Sequence, residues 1–189
     1  MKILFINACS RKESRTLMLA KRLLDGLVGD IEEVNIHNLD IKPFDNEMVN
    51  RRVKLAKESK FDDEIFKYAH QFKEADYIVV AAPMWDLSFP SKFKVYIEHI
   101  NAAGVTFGYT ANGPKGFCRA QKLVYLTTSG GEMVFNFGYD YIKMLCNVLY
   151  GINYTKCFYA EGLDIWGADV EAILDKTFKK IDDYLVMCK

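Results

Sequence analysis

The sequence predicts an α/β domain built on a doubly wound, five-stranded parallel sheet with helices on both faces. Three observations carry this. Short apolar runs recur at residues 2–7, 77–82, 123–127 and 157–160, as strands covered on both faces require. Between them lie stretches with apolar residues every three or four positions, the mark of helices facing a core. And 189 residues, 50% of them hydrophobic, without repeat or linker, make one domain over 1–189 with a core of its own.

Residues 2–7 (KILFIN) form the first strand. Leu17, Ala20, Leu24 and Leu27 mark one face of the first helix, with Gly29 as its stop. Val34 and Ile36, alternating with Asn35 and His37, make an edge-like second strand. Residues 42–60, rich in Lys and Arg and without a clear period, read as a surface connection with a helical turn at most. Ile65, Ala69 and Phe72 mark the second helix, and 77–82 the third strand. Pro90 suits the first turn of a helix, where its missing N–H is not needed. Phe93, Ile97 and Ile100 give that helix its inward face, and Gly104 ends it. Residues 105–119 carry turn punctuation at Asn112-Gly113-Pro114. The fourth strand is 123–127. Tyr141, Met144, Leu145 and Val148 are helical up to Gly151, the fifth strand is 157–160, and Val170 to Leu185 span a strong terminal helix.

Five strands alternating with five helices imply parallel pairing. In a chain this short the expected strand order is 2-1-3-4-5, the flavodoxin-like arrangement. Ligands in such sheets bind beyond the carboxyl ends of the strands, where the order reverses, so the loops after strands 1, 3 and 4 form the candidate site. The chain has only six Ser and seven Thr, and eight of the thirteen lie there. Ser10, Ser14 and Thr16 are in the first loop, Ser88 and Ser91 just past the second, and Thr127, Thr128 and Ser129 in the third. Ordinary helix capping predicts some enrichment there; the sharper reading is a pocket for a ligand that needs many short hydrogen bonds.

The first loop, Cys9-Ser10-Arg11-Lys12-Glu13-Ser14-Arg15-Thr16, leads into a helix, whose unpaired N–H groups attract phosphate. Ser14 and Thr16 add hydroxyl donors and Arg15 a charge. Neither GxGxxG nor GxxxxGK[ST] occurs, which disfavours the dinucleotide and P-loop grips. The second loop, Pro83-Met84-Trp85-Asp86-Leu87-Ser88, is tight and partly apolar, suited to a flat heteroaromatic ring packed against Met84, Trp85 and Leu87. The third, Thr127-Thr128-Ser129-Gly130-Gly131, permits close backbone approach. A phosphate on the first loop and a ring between the other two is the shape of FMN.

The Ser10/Ser14-Arg15-Thr16 loop, PMWDLSFPSKFK, AAGVTFGYTANGPKGF and TTSGG together resemble the FMN-dependent NADH-azoreductases, relatives of the NAD(P)H:quinone oxidoreductases. The similarity runs in order from the first strand to Ala160-Glu161-Gly162. It implies a flavodoxin-like homodimer with tightly bound FMN. By match to the family's motifs, Ser10, Ser14, Arg15 and Thr16 hold the phosphate. Pro83, Met84, Trp85, Asp86 and Leu87 line the isoalloxazine, and Thr128, Ser129, Gly130 and Gly131 close its other edge. The family's Tyr and Asn are here Trp85 and Asp86; a carboxylate at that place accepts well from flavin N3–H but opposes charge near N1–O2.

The chemistry implied is ping-pong: NADH or NADPH reduces the flavin, and a quinone, azo or nitroaromatic acceptor reoxidises it on the same face. The flavin carries the chemistry, so no side chain is assigned as catalytic. Phe107, Tyr109 and Phe117, on a hairpin-like segment, are candidates for lining the substrate in the same or the partner subunit, or equally for plain packing. His37, His70 and His99 are dispersed, and no residue set has zinc spacing. Equal numbers of acidic and basic residues, 25 each, argue against nucleic acid. No apolar stretch is long enough for a membrane span, and the start lacks a signal peptide's pattern. Five scattered cysteines read as reduced thiols, and the expected compartment is the cytoplasm. Two other functions compete. One is a flavodoxin-type electron carrier, disfavoured by the neutral charge. The other is a phosphatase, because Cys9 to Arg15-Thr16 also resembles the phosphate loop of the low-molecular-weight tyrosine phosphatases; Cys9 would be its nucleophile, but the acid-bearing Asp-Pro pair is missing.

Overall fold

The computed structural model describes residues 1–188. Strand β1 (Lys2–Asn7) leads through the first loop to helix α1 (Arg15–Asp25), and β2 (Asp30–Asn35) follows. Then come α2 (Asn46–Lys57), α3 (Lys67–Glu74), β3 (Tyr77–Ala81) and α4 (Ser91–Ile100). A hairpin of β4 (Phe107–Thr110) and β5 (Gly113–Gly116) precedes β6 (Lys122–Thr128). The chain ends with α5 (Phe137–Leu145), β7 (Tyr154–Ala160) and α6 (Val170–Met187).

The main sheet has the order β2-β1-β3-β6-β7, all parallel, and β4-β5 stands apart as an antiparallel pair. With the hairpin set aside, this is the 2-1-3-4-5 order that the alternation predicts. The period-two rule sorts the side chains. Ile3, Phe5, Tyr77, Val79, Val124 and Leu126 face α1 and α6, while Leu4, Ile6, Ile78, Val80, Leu123 and Tyr125 face α3, α4 and α5. Every residue of β3 is buried, and burying each such aliphatic side chain favours folding by about 1.5–3 kcal/mol.

Several elements depart from the expectations. Residues 42–60 contain a full helix, α2, capped by Asp45, whose carboxylate accepts from the Met48 N–H at 2.8 Å. None of its residues is buried. It rests on a small separate cluster around Phe66, Ala69, Ala102 and Val105, so it carries no strong apolar stripe to read. The first helix stops at Gly26 rather than Gly29, and α4 at Asn101 rather than Gly104. After α5 the chain widens into a π-turn over Cys146–Tyr150 before Gly151, at φ 74°, closes it. Among the described residues no helix is long and apolar enough to cross a membrane.

Candidate functional site

A cavity of about 350 Å3 opens at the carboxyl end of the sheet, where the loops after β1, β3 and β6 meet the turn after β7. Ser10, Arg11, Glu13, Ser14 and Arg15 line it from the first loop, Pro83, Met84 and Trp85 from the second, and Thr128, Ser129 and Gly130 from the third. Leu163 and Asp164 complete the wall. Its size falls within the range of small-molecule sites, about 300–1,000 Å3.

The start of α1 is built for an anion. Ser14 caps the helix, its Oγ accepting from the Leu17 N–H at 3.4 Å. The N–H groups of Arg15 and Thr16 meet no acceptor among the described residues, and the first turn contains no acidic residue. Two unsatisfied donors at the positive end of a helix, with a guanidinium beside them, fit a phosphate monoester. Arg15 is held on the far side: its Nη1 donates to Asp164 Oδ1 at 2.7 Å and to the Leu163 carbonyl at 3.3 Å.

Thr16 corrects one expectation. It is fully buried, and its Oγ1 lies 2.6 Å from Thr128 Oγ1. Its hydroxyl joins the first turn of α1 to the last residue of β6 beneath the cavity, so it braces the site from below and is not part of the cavity wall.

The second loop continues the sheet past the last residue of β3. Ala82 N–H donates to the Leu126 carbonyl and Met84 N–H to that of Thr128, both at 3.0 Å. Trp85 and Ser88 then exchange backbone bonds across a two-residue tip, where Asp86 (φ 50°) and Leu87 (φ 64°) are both left-handed. Two successive positive φ values define a type I′ turn, which normally selects Asn-Gly. Asp86 and Leu87 therefore form the tip of the turn, outside the cavity wall, while the ring-lining role expected for them concerns a bound ring. Met84 and the half-exposed Trp85 do line the cavity.

In the third loop, Gly130 has a steric reason to be glycine: a Cβ there would stand 2.5 Å from Asp164 Oδ2. Gly131 lies outside the wall and closes the turn instead, its carbonyl accepting from Ser129 Oγ at 2.7 Å and from the Gly162 N–H at 3.0 Å.

Cys9 sits at the strand end, 5% exposed, with Sγ toward the Ala81 carbonyl at 3.7 Å. Burial pushes its thiol up to about 11. A neutral thiol outside the cavity wall is no phosphatase nucleophile, so that alternative falls. Phe107, Tyr109 and Phe117 do not line the cavity of their own chain. Phe107 is buried and edge-packed on Tyr109 at 5.7 Å, and Phe117 covers Gly108. The histidines serve the backbone: ring nitrogens of His37, His70 and His99 pair with the carbonyls of Ala8, Phe61 and Lys42. Sequence reasoning missed Arg11, Glu13, Leu163 and Asp164. The last two follow the fifth apolar run, where Gly162 at φ 72° was the available signal.

A flavodoxin-like sheet with an anion-binding helix start and a rigid, partly apolar ledge beside it defines a protein of the flavin mononucleotide-binding class. Comparison with known proteins narrows this. A family model described as flavodoxin-like fold matches residues 1–185. An FMN-dependent NADH:quinone oxidoreductase of Clostridium acetobutylicum is 35% identical over 192 residues, covering 95% of each chain. One from Lachnoclostridium phytofermentans is 35% identical over 184 residues, covering 90% of this chain and 91% of that one. Among solved structures, an azoreductase from Bacillus anthracis superposes with a TM-score of 0.84 at 23% identity, covering 98% of both chains. An FMN-dependent NADH-azoreductase from the same species, solved with FMN, gives 0.83 at 23% identity over 99% of this chain and 98% of that one. The chain belongs to the flavodoxin-like family, in its group of FMN-dependent NADH:quinone oxidoreductases and azoreductases.

Proposed function

We propose that this chain is an FMN-dependent oxidoreductase that draws reducing equivalents from NADH or NADPH and delivers them to flat acceptors such as quinones and azo compounds. The observation that carries this reading is the start of α1, where the N–H groups of Arg15 and Thr16 meet no acceptor among the described residues and Arg15 lines a cavity walled also by Met84, Trp85 and residues 128–130. FMN, when bound, supplies a ring system that takes hydride from a nicotinamide and passes the electrons on. The chain's own residues bind and orient. Ser10, Ser14, Arg15 and the start of α1 hold the phosphate. Pro83, Met84 and Trp85 pack on the ring, and Thr128, Ser129 and Gly130 close its other edge. Because Met84 N–H is tied to the Thr128 carbonyl at 3.0 Å, the second and third loops act as one rigid ledge, which fixes the ring's tilt.

The working form is a homodimer. Val134, Phe135, Phe137, Ile165 and Trp166 are large, apolar and exposed, Trp166 at 99%. Phe135 and Phe137 stack at 5.5 Å, and Val134 and Ile165 line one shallow apolar hollow. A second copy of the chain covers this ridge. Tyr109 and Phe117 stay outside their own chain's cavity, so a substrate-lining role for them requires the partner's cavity; the alternative is plain packing at the hairpin, where Phe107 is edge-on to Tyr109. The compartment is the cytoplasm, where five free cysteines stay reduced.

The test is anaerobic stopped-flow on the FMN-loaded chain. NADH or NADPH should bleach the flavin absorbance within a turnover, and a quinone should restore it. A loaded chain bleached by neither nicotinamide, yet reducible by dithionite, would instead be an electron carrier.

A further inference from the structure

We propose that Asp164 is a positioning residue for the cofactor's phosphate: it aims the Arg15 guanidinium at the anion without touching the cofactor itself. The proposal rests on the FMN reading above. A carboxylate in the wall of an anion site is out of place on charge alone, yet the fold goes to some length to put it there. Gly162 N–H bonds to the Gly131 carbonyl at 3.0 Å, Leu163 N–H to that of Ser129 at 3.2 Å, and Asp164 N–H to that of Gly130 at 2.9 Å. Gly130, lacking a Cβ, leaves room for Asp164 Oδ2. The turn after β7 is thus fastened residue by residue to the third loop, and its carboxylate reaches back across the cavity to the first.

The contact with Arg15 is one-sided. Both acceptors, Asp164 Oδ1 and the Leu163 carbonyl, are served by Nη1, while Nη2 and Nε have no partner among the described residues. Arg15 lines the cavity. Guanidinium is a planar fork, and holding one nitrogen in two hydrogen bonds fixes the plane of the rest. An oriented fork loses less freedom when it meets phosphate oxygens than a free side chain would. The Asp164 side chain is 69% exposed, so water and salt screen its repulsion of the phosphate. Without Asp164, only the longer 3.3 Å bond to the Leu163 carbonyl would orient Arg15.

The experiment compares FMN and riboflavin binding to the full-length apo chain, by quenching of flavin fluorescence, in wild type, Asp164→Ala and Asp164→Asn. Riboflavin lacks the phosphate and reports on the ring pocket alone. Asp164→Ala should weaken FMN about five-fold, as expected for losing a partly exposed charged contact, and leave riboflavin within two-fold. Asp164→Asn keeps an acceptor oxygen and should restore most of the FMN affinity. FMN affinity unchanged or improved in Asp164→Ala overturns the proposal. So does an equal loss of riboflavin affinity, or an Asn variant as weak as Ala. Failure of the wild-type chain to bind FMN would overturn the cofactor reading and this proposal with it; tight wild-type binding with an indifferent Asp164→Ala would overturn this proposal alone.

Discussion

The hydroxyl oxygens of Thr16 and Thr128 lie 2.6 Å apart, tying the first turn of α1 to the last residue of β6 directly under the cavity. Thr16 is fully buried, so Thr16→Val keeps its shape and deletes the bond. The apo variant should lose about 1 kcal/mol of unfolding free energy in urea titrations, and FMN should bind several-fold more weakly because the two loops are no longer joined. Adding Thr128→Val should cost little more, since the pair is already broken. Additive losses would show that the two hydroxyls act separately.

The tip of the second loop stores strain. Asp86 and Leu87 hold φ values of 50° and 64°, a conformation that costs an L-residue with a Cβ about 1–2 kcal/mol. Leu87 is 58% exposed, so little packing is lost on trimming it. Leu87→Gly should raise the unfolding free energy of the apo chain by up to about 1 kcal/mol, while Leu87→Val, β-branched, should lower it. The urea midpoints of the two variants check this, and they should move in opposite directions.

Legibility in the sequence followed burial. β3 and β6 are covered on both faces, so their apolar runs gave them away, and the parallel order followed from alternation with helices. The loops after β1, β3 and β6 were legible as a site because topology alone puts them where strand order reverses. What escaped was held by other forces. The surface helix α2 buries none of its residues, and its start depends on one capping carboxylate, Asp45. β7 begins at Tyr154, earlier than its apolar run, because its first residues alternate between exposed and half-buried. The type I′ turn was hidden because Asp-Leu stands where Asn-Gly would announce it. Asp164 was invisible for a further reason: its place follows from backbone bonds between two loops some thirty residues apart, which no local pattern records.

The cysteines should differ sharply in reactivity. Burial pushes Cys9 up to about 11 and Cys118, Cys146 and Cys157 up to about 12, whereas Cys188 is exposed. Iodoacetamide at about pH 8, where little of any raised thiol ionises, should add one label quickly, at Cys188, by intact mass. The other four should react only on unfolding. The same shifts predict alkaline lability. A thiol raised in the folded state keeps its proton while the unfolded chain has lost it, so stability is complete below an ordinary thiol's value, about 9, and declines as pH rises toward 11. The most buried thiols, Cys9 and Cys146, each remove up to about 1.4 kcal/mol per pH unit in that window. The urea midpoint should therefore fall steadily there, and a flat midpoint would contradict the burial of these thiols.

Gly130 offers an independent route to the Arg15–Asp164 pair. A Cβ at this position would meet Asp164 Oδ2 at 2.5 Å and the Asp164 Cβ and Cγ at 3.2 Å. The nearest obstacle is the free end of a side chain, so the backbone need not move, and Gly130→Ala should cost the apo chain well under about 1 kcal/mol in stability. The carboxylate must swing away, however, and its bond to Arg15 goes with it. Gly130→Ala should therefore weaken FMN by a factor close to that of Asp164→Ala, with riboflavin affected less. In the double variant the two losses should not add, because both act through the same guanidinium. Full additivity in that cycle would mean that the alanine methyl disturbs the ligand directly, and that Gly130 is needed for the cofactor's approach rather than for the seat of Asp164.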